Sequence, residues 1–446
     1  MDISYFCNLI RKNIKHKIMM STEEKKAIID LMHRQVVPAI GCTEPIAVAL
    51  CVAKAKEALG TTPERIELSL SANILKNAMG VGIPGTGMIG LPIAVALGAL
   101  IGHAEYQLEV LKDCDKNAVE RGRQFIDEGR IHIALEEKDP DKLFIRALCT
   151  ADGHDAEAII KGHHTHFVYV RKDQDVLLCQ QDHQGPEEEE EDIQLTLRKV
   201  YDFATTADIE EIRFILDAKQ LNEHAAEAGL KDNYGHRLGK TMCSPLGKGI
   251  MGDSIFSKIL SKTSCACDAR MAGAMIPVMS NSGSGNQGIC TTMPVVVFAE
   301  ENHNTEEELI RALILSNLTA IYIKQSLGAL SALCGCVVAS TGSSCGITYL
   351  MGGNFEQVSF AVKNMIANLT GMICDGAKPS CALKVTSGVS TAVMSAMLAI
   401  QHNYVTSVEG IIEDDVDRSI HNLTAIGSRG MDITDRFVLE IMTHKN

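Results

Sequence analysis

Apolar and polar positions along this 446-residue chain fall into distinct regimes. Over residues 21–33, Ile28, Ile29, Leu31 and Met32 gather on one side of a 3.6-residue period, with Ser21 and Thr22 available as caps, which predicts a helix. A second helix is expected over 44–59, stopped by Gly60. Residues 65–71 alternate as a strand, and helical spacing returns over 91–129. Between Ile131 and Cys179 the period shortens. IHIALEE, KLFIRALCT, HDAEAIIKG, HTHFVYVRK and DVLLCQ are short runs separated by turn-forming residues, which predicts antiparallel strands. Helical spacing then dominates over 193–205, 208–229, 254–274, 306–333, 357–372 and 389–402.

Short strands followed by a long run of helices predict an α+β fold: an N-terminal domain of antiparallel strands and helices, then a larger, mainly helical C-terminal domain. The acidic run GPEEEEED at 185–192 reads as a solvated linker. The expected organisation is an extension over 1–20, an α+β domain over 21–190 and a helical domain over 191–446. No internal repeat is visible. Two uncharged stretches, 78–104 and 325–355, are interrupted by Gly, Ser, Pro or Cys. A membrane span wants about 20 predominantly apolar residues, so both read as buried segments in which small side chains let backbones approach closely.

Charge and cysteine content narrow the chemistry. A formal net charge of −14 argues against nucleic acid or an anionic membrane as the main partner. Fifteen cysteines without a recognisable leader predict a cytoplasmic chain with reduced thiols, in which metal binding or catalysis outranks disulfides. Cys51, Cys114, Cys149, Cys179 and Cys243 read as core residues.

Cys334, Cys374 and Cys381 stand apart because they lie among glycines in uncharged, small-residue sequence. Soft thiolates in that setting suit an iron–sulfur cluster, and three ligands rather than four would leave one iron open. Cys374 and Cys381 are seven apart, roughly 10 Å of rise on an unbroken helix. Gly376 and Pro379 break the helix between them and let both sulfurs face one centre. Cys336 leaves the choice of ligand within SALCGC open. Cys265 and Cys267 point apart on a predicted helix and read as core, or as support around a metal.

Four further segments can carry chemistry. Cys42, in VVPAIGCTEP, precedes a helix opened by Thr43 and Pro45; the partial positive charge of that N-terminus would lower a thiol pKa, so Cys42 can ligate a metal or take a proton. Glu44 either favours the helix start or holds a substrate ammonium. SNSGSGNQG at 280–288 contains Gly-x-Gly-x-x-Gly, but the strand-like run VVVFA behind it argues against a dinucleotide fingerprint. Its free N–H groups, with Ser284, Asn286 and Gln287, suit an α-carboxylate. Asn73, Lys76 and Asn77 follow a strand, and Lys76 or Lys378 can pair with a carboxylate or stand as a surface lysine. His163, His164 and His166 read as exposed strand residues.

VVPAIGCTEP, SANILKNAMGVGIPGT, DARMAGAMIPVMSNSGSGNQG, SALCGC and NMIANLTGMICDGAKPSCALK together resemble the L-cysteine desulfidase family, which is related to the α chain of iron–sulfur L-serine dehydratases. The likeness covers nearly the whole chain from about Ser21. It implies cleavage of L-cysteine to sulfide and aminoacrylate, which hydrolyses to pyruvate and ammonia, with an oxygen-sensitive [4Fe–4S] cluster. By motif position it implies Cys334, Cys374 and Cys381 as cluster ligands and Cys42 as proton acceptor. Glu44, Asn73, Lys76, Ser284, Asn286, Gln287 and Lys378 are the residues expected to bind substrate. A homodimer is expected. Three rivals stand beside this reading: L-serine dehydration by the same iron chemistry, β-elimination on pyridoxal phosphate, and an iron–sulfur redox-sensing or regulatory protein without lyase activity.

Overall fold

The computed structural model describes residues 20–136, 141–180, 193–328 and 331–444. The expected N-terminal extension lies almost entirely outside the described residues, as does the acidic linker at 185–192. Ser21 caps helix α1 (Thr22–Gln35) in a reciprocal capping box with Glu24. Strand β1 (Pro38–Ile40) follows, then α2 (Thr43–Leu59), ended by Gly60 in the left-handed conformation. Next come β2 (Arg65–Leu70), α3 (Ala72–Ala78), α4 (Leu91–Leu100) and α5 (Lys116–Asp127). The helical spacing expected over 91–129 is carried by two helices, because Asp115 caps a new one after a short 3₁₀ turn.

Strands β3 (Ile131–Leu135), β4 (Phe144–Ala151), β5 (His154–Lys161), β6 (Phe167–Lys172) and β7 (Asp175–Cys179) complete a six-stranded sheet in the order β3-β2-β4-β5-β6-β7. All its pairings are antiparallel except β2 with β3. Helix α2 packs on β4, β5 and β6 through a nearly continuous apolar surface. Cys51 and Cys149 are fully buried there, as expected, whereas Cys179 is exposed and Cys114 and Cys243 are only half-buried.

The larger helical part contains α6 (Leu197–Thr206), α7 (Leu216–Lys231), α8 (Ile255–Met271), the short strand β8 (Pro277–Met279), α9 (Gly285–Glu301), α10 (Glu306–Leu327), α11 (Gly335–Leu350), α12 (Phe355–Leu369), α13 (Cys381–Ile400) and α14 (Asp432–Thr443). Helix α11 packs against α9, α10, α12 and α13. Its sequence, GCVVASTGSSCGITYL, is uncharged and almost wholly buried. Its hydroxyls are satisfied locally: Ser340, Thr341, Ser343, Ser344 and Thr348 each donate to a backbone carbonyl three or four residues back. Small side chains let neighbours close in; a Cβ on Gly342 would stand 2.2 Å from the carbonyl oxygen of Ser316.

Two expectations are corrected here. VVVFA lies inside α9, not in a strand, because every residue from Gln287 to Ala299 is buried among helices and tertiary packing overrides β-propensity. A helix therefore does follow the Gly-x-Gly-x-x-Gly segment. The dinucleotide reading fails for another reason: β8 pairs antiparallel with β1 in a two-stranded ribbon and belongs to no parallel sheet. The helix expected over 306–333 ends at Leu327, and Cys334 takes the N-cap position of the next one.

One described helix, α13, is long and apolar enough to cross a membrane, but half of it is buried against α8, α11 and α12. The expected division between 21–190 and 191–446 is crossed by the β1–β8 ribbon and by the packing of α14 on α3.

Candidate active site

The β1–β8 ribbon joins the two segments that carry Cys42 and the Gly-Ser loop. Pro38 pairs with Met279 and Ile40 with Pro277 in antiparallel register, so the chain leaving β8 runs back beside the segment before β1, where Ser280 N–H donates to the Val37 carbonyl, while the chain leaves β1 at the opposite end of the ribbon. Gly41, at φ +71, turns it sharply under Pro84, and Cys42 takes the N-cap position of α2. From the other strand, Asn281 to Ser284 forms a tight turn, and the Ser284 side chain caps α9. The single Thr43 Oγ1 proton is shared between the Gly283 carbonyl at 3.3 Å and Glu44 Oε2 at 3.2 Å, tying the two helix starts together.

The late cysteines converge by a second device. Leu333 and Ile373 form an isolated antiparallel bridge; Cys334 N–H donates to the Met372 carbonyl at 2.9 Å and Cys374 N–H to that of Ala332 at 2.6 Å. Gly376, at φ +88, then turns the chain so closely over α3 that a Cβ would lie 2.2 Å from the Lys76 carbonyl oxygen. The turn delivers Cys381 to the start of α13. Helix breaking between Cys374 and Cys381, expected from Gly376 and Pro379, is what the structure contains.

These devices meet at one inner cavity of about 110 Å³. Cys334, Cys374 and Cys381 line it, with Cys42 and Glu44 from the first half of the chain. Gly283, Ser284, Asn286 and Gln287 add the start of α9. Cys336 also reaches the wall, with its thiol against Met372 Sδ and the Lys384 carbonyl. Cys334 lies within hydrogen-bonding reach of both Cys336 and Cys374. An outer cavity of about 370 Å³ shares Glu44, Asn77, Ser284, Gln287 and Cys374 and leads outward past His163, His164 and Lys324.

The donor set can be tested against a metal group on this geometry. Among the described residues no three His, Cys, Asp or Glu side chains converge on a single-ion position. A cubane makes a different demand: thiolates at separate corners around a cavity, with no nitrogen or carboxylate needed. Three cysteines from three backbone segments around one small cavity meet it. Hydrogen bonding to a neighbouring thiol and then burial raise the pKa values of Cys334 and Cys374, and burial raises that of Cys381, so all three are neutral thiols in the free chain. Metal loading must therefore release protons.

Cys42 differs from expectation. Burial, then the adjacent Glu44 carboxylate, push its thiol well above the usual range and outweigh the helix N-terminus and Arg270. Its S–H donates to Glu44 Oε2 at 2.8 Å. Glu44 Oε2 also accepts from Thr43 Oγ1 at 3.2 Å, and Oε1 from Asn77 Nδ2 at 3.0 Å. Burial works to raise the Glu44 pKa, but His164, the Cys42 thiol and Arg270 leave it lowered. The pair thus rests as thiol and carboxylate. With three donors already on it, Glu44 is better engaged as the partner of Cys42 than as an ammonium anchor.

The expected substrate-binding residues divide. Ser284, Asn286 and Gln287 line the inner cavity, and the buried Gln287 Oε1 has no hydrogen-bond partner. Asn73 and Lys76 line neither cavity. Lys76 is 1 % exposed and ion-paired with Asp435 of α14. Lys378, which also lines neither, is paired with Asp375 at 2.5 Å. A lysine already neutralised by a carboxylate, buried in the case of Lys76 and half-buried in that of Lys378, is poorly placed to receive another, which corrects both lysine expectations.

Sequence reasoning missed three residues. His164 is in the β5–β6 turn rather than on a strand, and it is half-buried beside Glu44; burial lowers its pKa against the opposing pull of the Glu44 carboxylate. Lys324 lines the outer cavity, held down at about 8 by burial. Arg270, within DARMAGAMIPVMSN, lines the inner one. The buried tract around Arg270 was the available signal, since a cation there requires a reason. Cys267, read as core or support, is fully buried and within 3.5 Å of Asn286 Oδ1.

Comparison with known proteins agrees with this architecture. The family model described as "Serine dehydratase alpha chain" matches residues 105–440. A "UPF0597 protein" of Bacteroides thetaiotaomicron is 69% identical over 426 residues, covering 96% of this chain and 99% of the relative. One from Porphyromonas gingivalis is 52% identical over 432 residues (96% and 100%), and one from Oleidesulfovibrio alaskensis 47% over 429 residues (96% and 100%). The chain belongs to the serine dehydratase α-chain family, a family of iron–sulfur lyases.

Proposed function

We propose that this protein is an L-cysteine desulfidase that eliminates sulfide from L-cysteine and yields pyruvate and ammonia. The observation that carries the reading is the inner cavity, whose wall holds both the Cys42–Glu44 pair and Cys334, Cys374 and Cys381. Those three thiolates would hold a [4Fe–4S] cluster, which when bound supplies a Lewis-acidic iron beside the leaving group.

The chain's own residues account for the remaining steps. Free N–H groups at the start of α9 orient the substrate carboxylate next to Ser284 and Gln287. Cys42 passes its proton to Glu44 and, as thiolate, takes the proton from Cα; Thr43 and Asn77 hold the carboxylate in place for that transfer. The electron pair of the broken C–H bond forms the Cα–Cβ double bond, and the sulfur departs with the pair of the C–S bond. Aminoacrylate then tautomerises and is hydrolysed in water. A buried thiol beside a carboxylate is a weak base alone but an effective one as a pair.

The family match favours a second reading, dehydration of L-serine at the same residues. One experiment separates the two. Anaerobically iron- and sulfide-loaded enzyme is assayed for pyruvate on L-cysteine and L-serine in parallel, with sulfide measured for the first. Faster turnover of L-cysteine supports the proposal; faster turnover of L-serine replaces it with the dehydratase; no product from either removes both.

A further inference from the structure

Arg270 lies near the end of α8, 4 % exposed, with its guanidinium at the wall of the inner cavity. One Nη donates to the Gly41 carbonyl at 2.9 Å, and the other has only a 4.0 Å contact with Met271 Sδ. Nε has no partner. Among the described residues no carboxylate forms an ion pair with it. A buried cation left so is costly unless an anion arrives to complete it. Its surroundings say where the anion sits. A Cβ on Gly285 would fall 2.2 Å from Arg270 Nε, so the guanidinium lies directly against the first turn of α9. That turn offers its own unpaired N–H groups and the positive end of a 17-residue helix. The unpartnered Oε1 of Gln287, an acceptor in the same wall, suits a neighbouring ammonium.

We propose that Arg270 and the first turn of α9 form the α-carboxylate site of this enzyme, and that they select free amino acids over amides, esters and peptide-linked residues. The proposal rests on the amino-acid lyase reading and names its substrate class more narrowly. Glycine at 285 is required because any side chain would displace the guanidinium. Neither lysine expected from the sequence is needed, since both have carboxylate partners of their own.

The test compares L-cysteine with L-cysteinamide on loaded wild-type enzyme and on Arg270→Gln, Arg270→Lys and Gly285→Ala, each first checked for an unchanged melting curve. Loss of a charge-assisted contact predicts about a 10- to 150-fold fall in the ratio of kcat/KM for L-cysteine to that for L-cysteinamide in Arg270→Gln, mainly through KM for L-cysteine. Gly285→Ala shifts the ratio in the same direction, and Arg270→Lys retains part of the preference. Should Arg270→Gln fail to fold, Gly285→Ala and Arg270→Lys decide. Equilibrium dialysis of labelled L-serine and L-serinamide against the iron-free full-length chain gives a readout independent of turnover. Wild-type preference for the carboxylate that disappears in the variants supports the site. Equal binding of both ligands by wild type, or an unchanged preference in the variants, overturns it. A wild-type chain that prefers the carboxylate yet turns over no amino acid would overturn the lyase reading alone.

Discussion

Glu44→Gln isolates the role of the carboxylate beside Cys42. In the structure Glu44 is 9 % exposed and accepts three hydrogen bonds, from Cys42 at 2.8 Å, Thr43 at 3.2 Å and Asn77 at 3.0 Å. Glutamine has the same shape, and its carbonyl oxygen can still accept from Asn77 while its amide faces the Thr43 hydroxyl and the weakly accepting sulfur. The stability cost should stay at about 1 kcal/mol. What the amide cannot do is take the thiol proton. Cys42 then has burial against it and no base, so its thiolate becomes inaccessible. Removing general-base assistance costs about 10²–10⁴-fold, so kcat should fall by that factor with KM nearly constant. Pyruvate release by anaerobically loaded enzyme measures this, with iron content confirming equal loading. A kcat within threefold of wild type would show that Cys42 acts without Glu44, and the paired-base account would be wrong.

Further consequences are equally direct. Gly376→Ala forces a Cβ to 2.2 Å from the Lys76 carbonyl oxygen at a position with φ +88; it should lower bound iron per chain by spreading Cys374 and Cys381, and normal iron content would contradict the role given to that turn. Burial holds Cys149 and Cys345 up at about 12, whereas unfolded thiols ionise near pH 8.5. Between about pH 8.5 and 12 the unfolded state therefore binds fewer protons, and each such thiol should lower stability by at most about 1.4 kcal/mol per pH unit. Denaturation of reduced, metal-free chain at pH 8 and pH 10 checks the sign; equal or greater stability at pH 10 would refute it. Tyr322 donates to Asp417 Oδ1 at 2.6 Å in a half-buried pair, so Tyr322→Phe should cost about 1–3 kcal/mol in chemical denaturation while leaving iron content unchanged.

How much of this was legible in the sequence depended on whether the signal was local. The capped helix at Ser21, the glycine stop at Gly60 and the turn-separated strands between Ile131 and Cys179 are local, and they appear nearly where the pattern put them. The break between Cys374 and Cys381 was readable from Gly376 and Pro379 for the same reason. VVVFA was not, because β-branched residues read as strand while burial on all sides makes them helix. Cys42 misled through a one-sided argument. The helix start favours a thiolate, but complete burial beside a carboxylate is a tertiary fact and it dominates. The lysines failed similarly: only the folded chain brings Asp435 to Lys76 across 359 residues. Arg270 and His164 reach the site through contacts between distant segments, which no spacing reveals.

The central claim is that Cys334, Cys374 and Cys381 jointly hold a cluster in the cavity they share with Cys42. Anaerobic reconstitution with iron and sulfide, followed by iron and sulfide analysis and electronic absorption, tests it on wild type and on the three single Cys→Ala variants. The account predicts about four irons per wild-type chain, consistent with one [4Fe–4S] cluster, and marked loss in every variant. A wild-type chain that takes up no iron, or one whose loading survives all three substitutions, would contradict it.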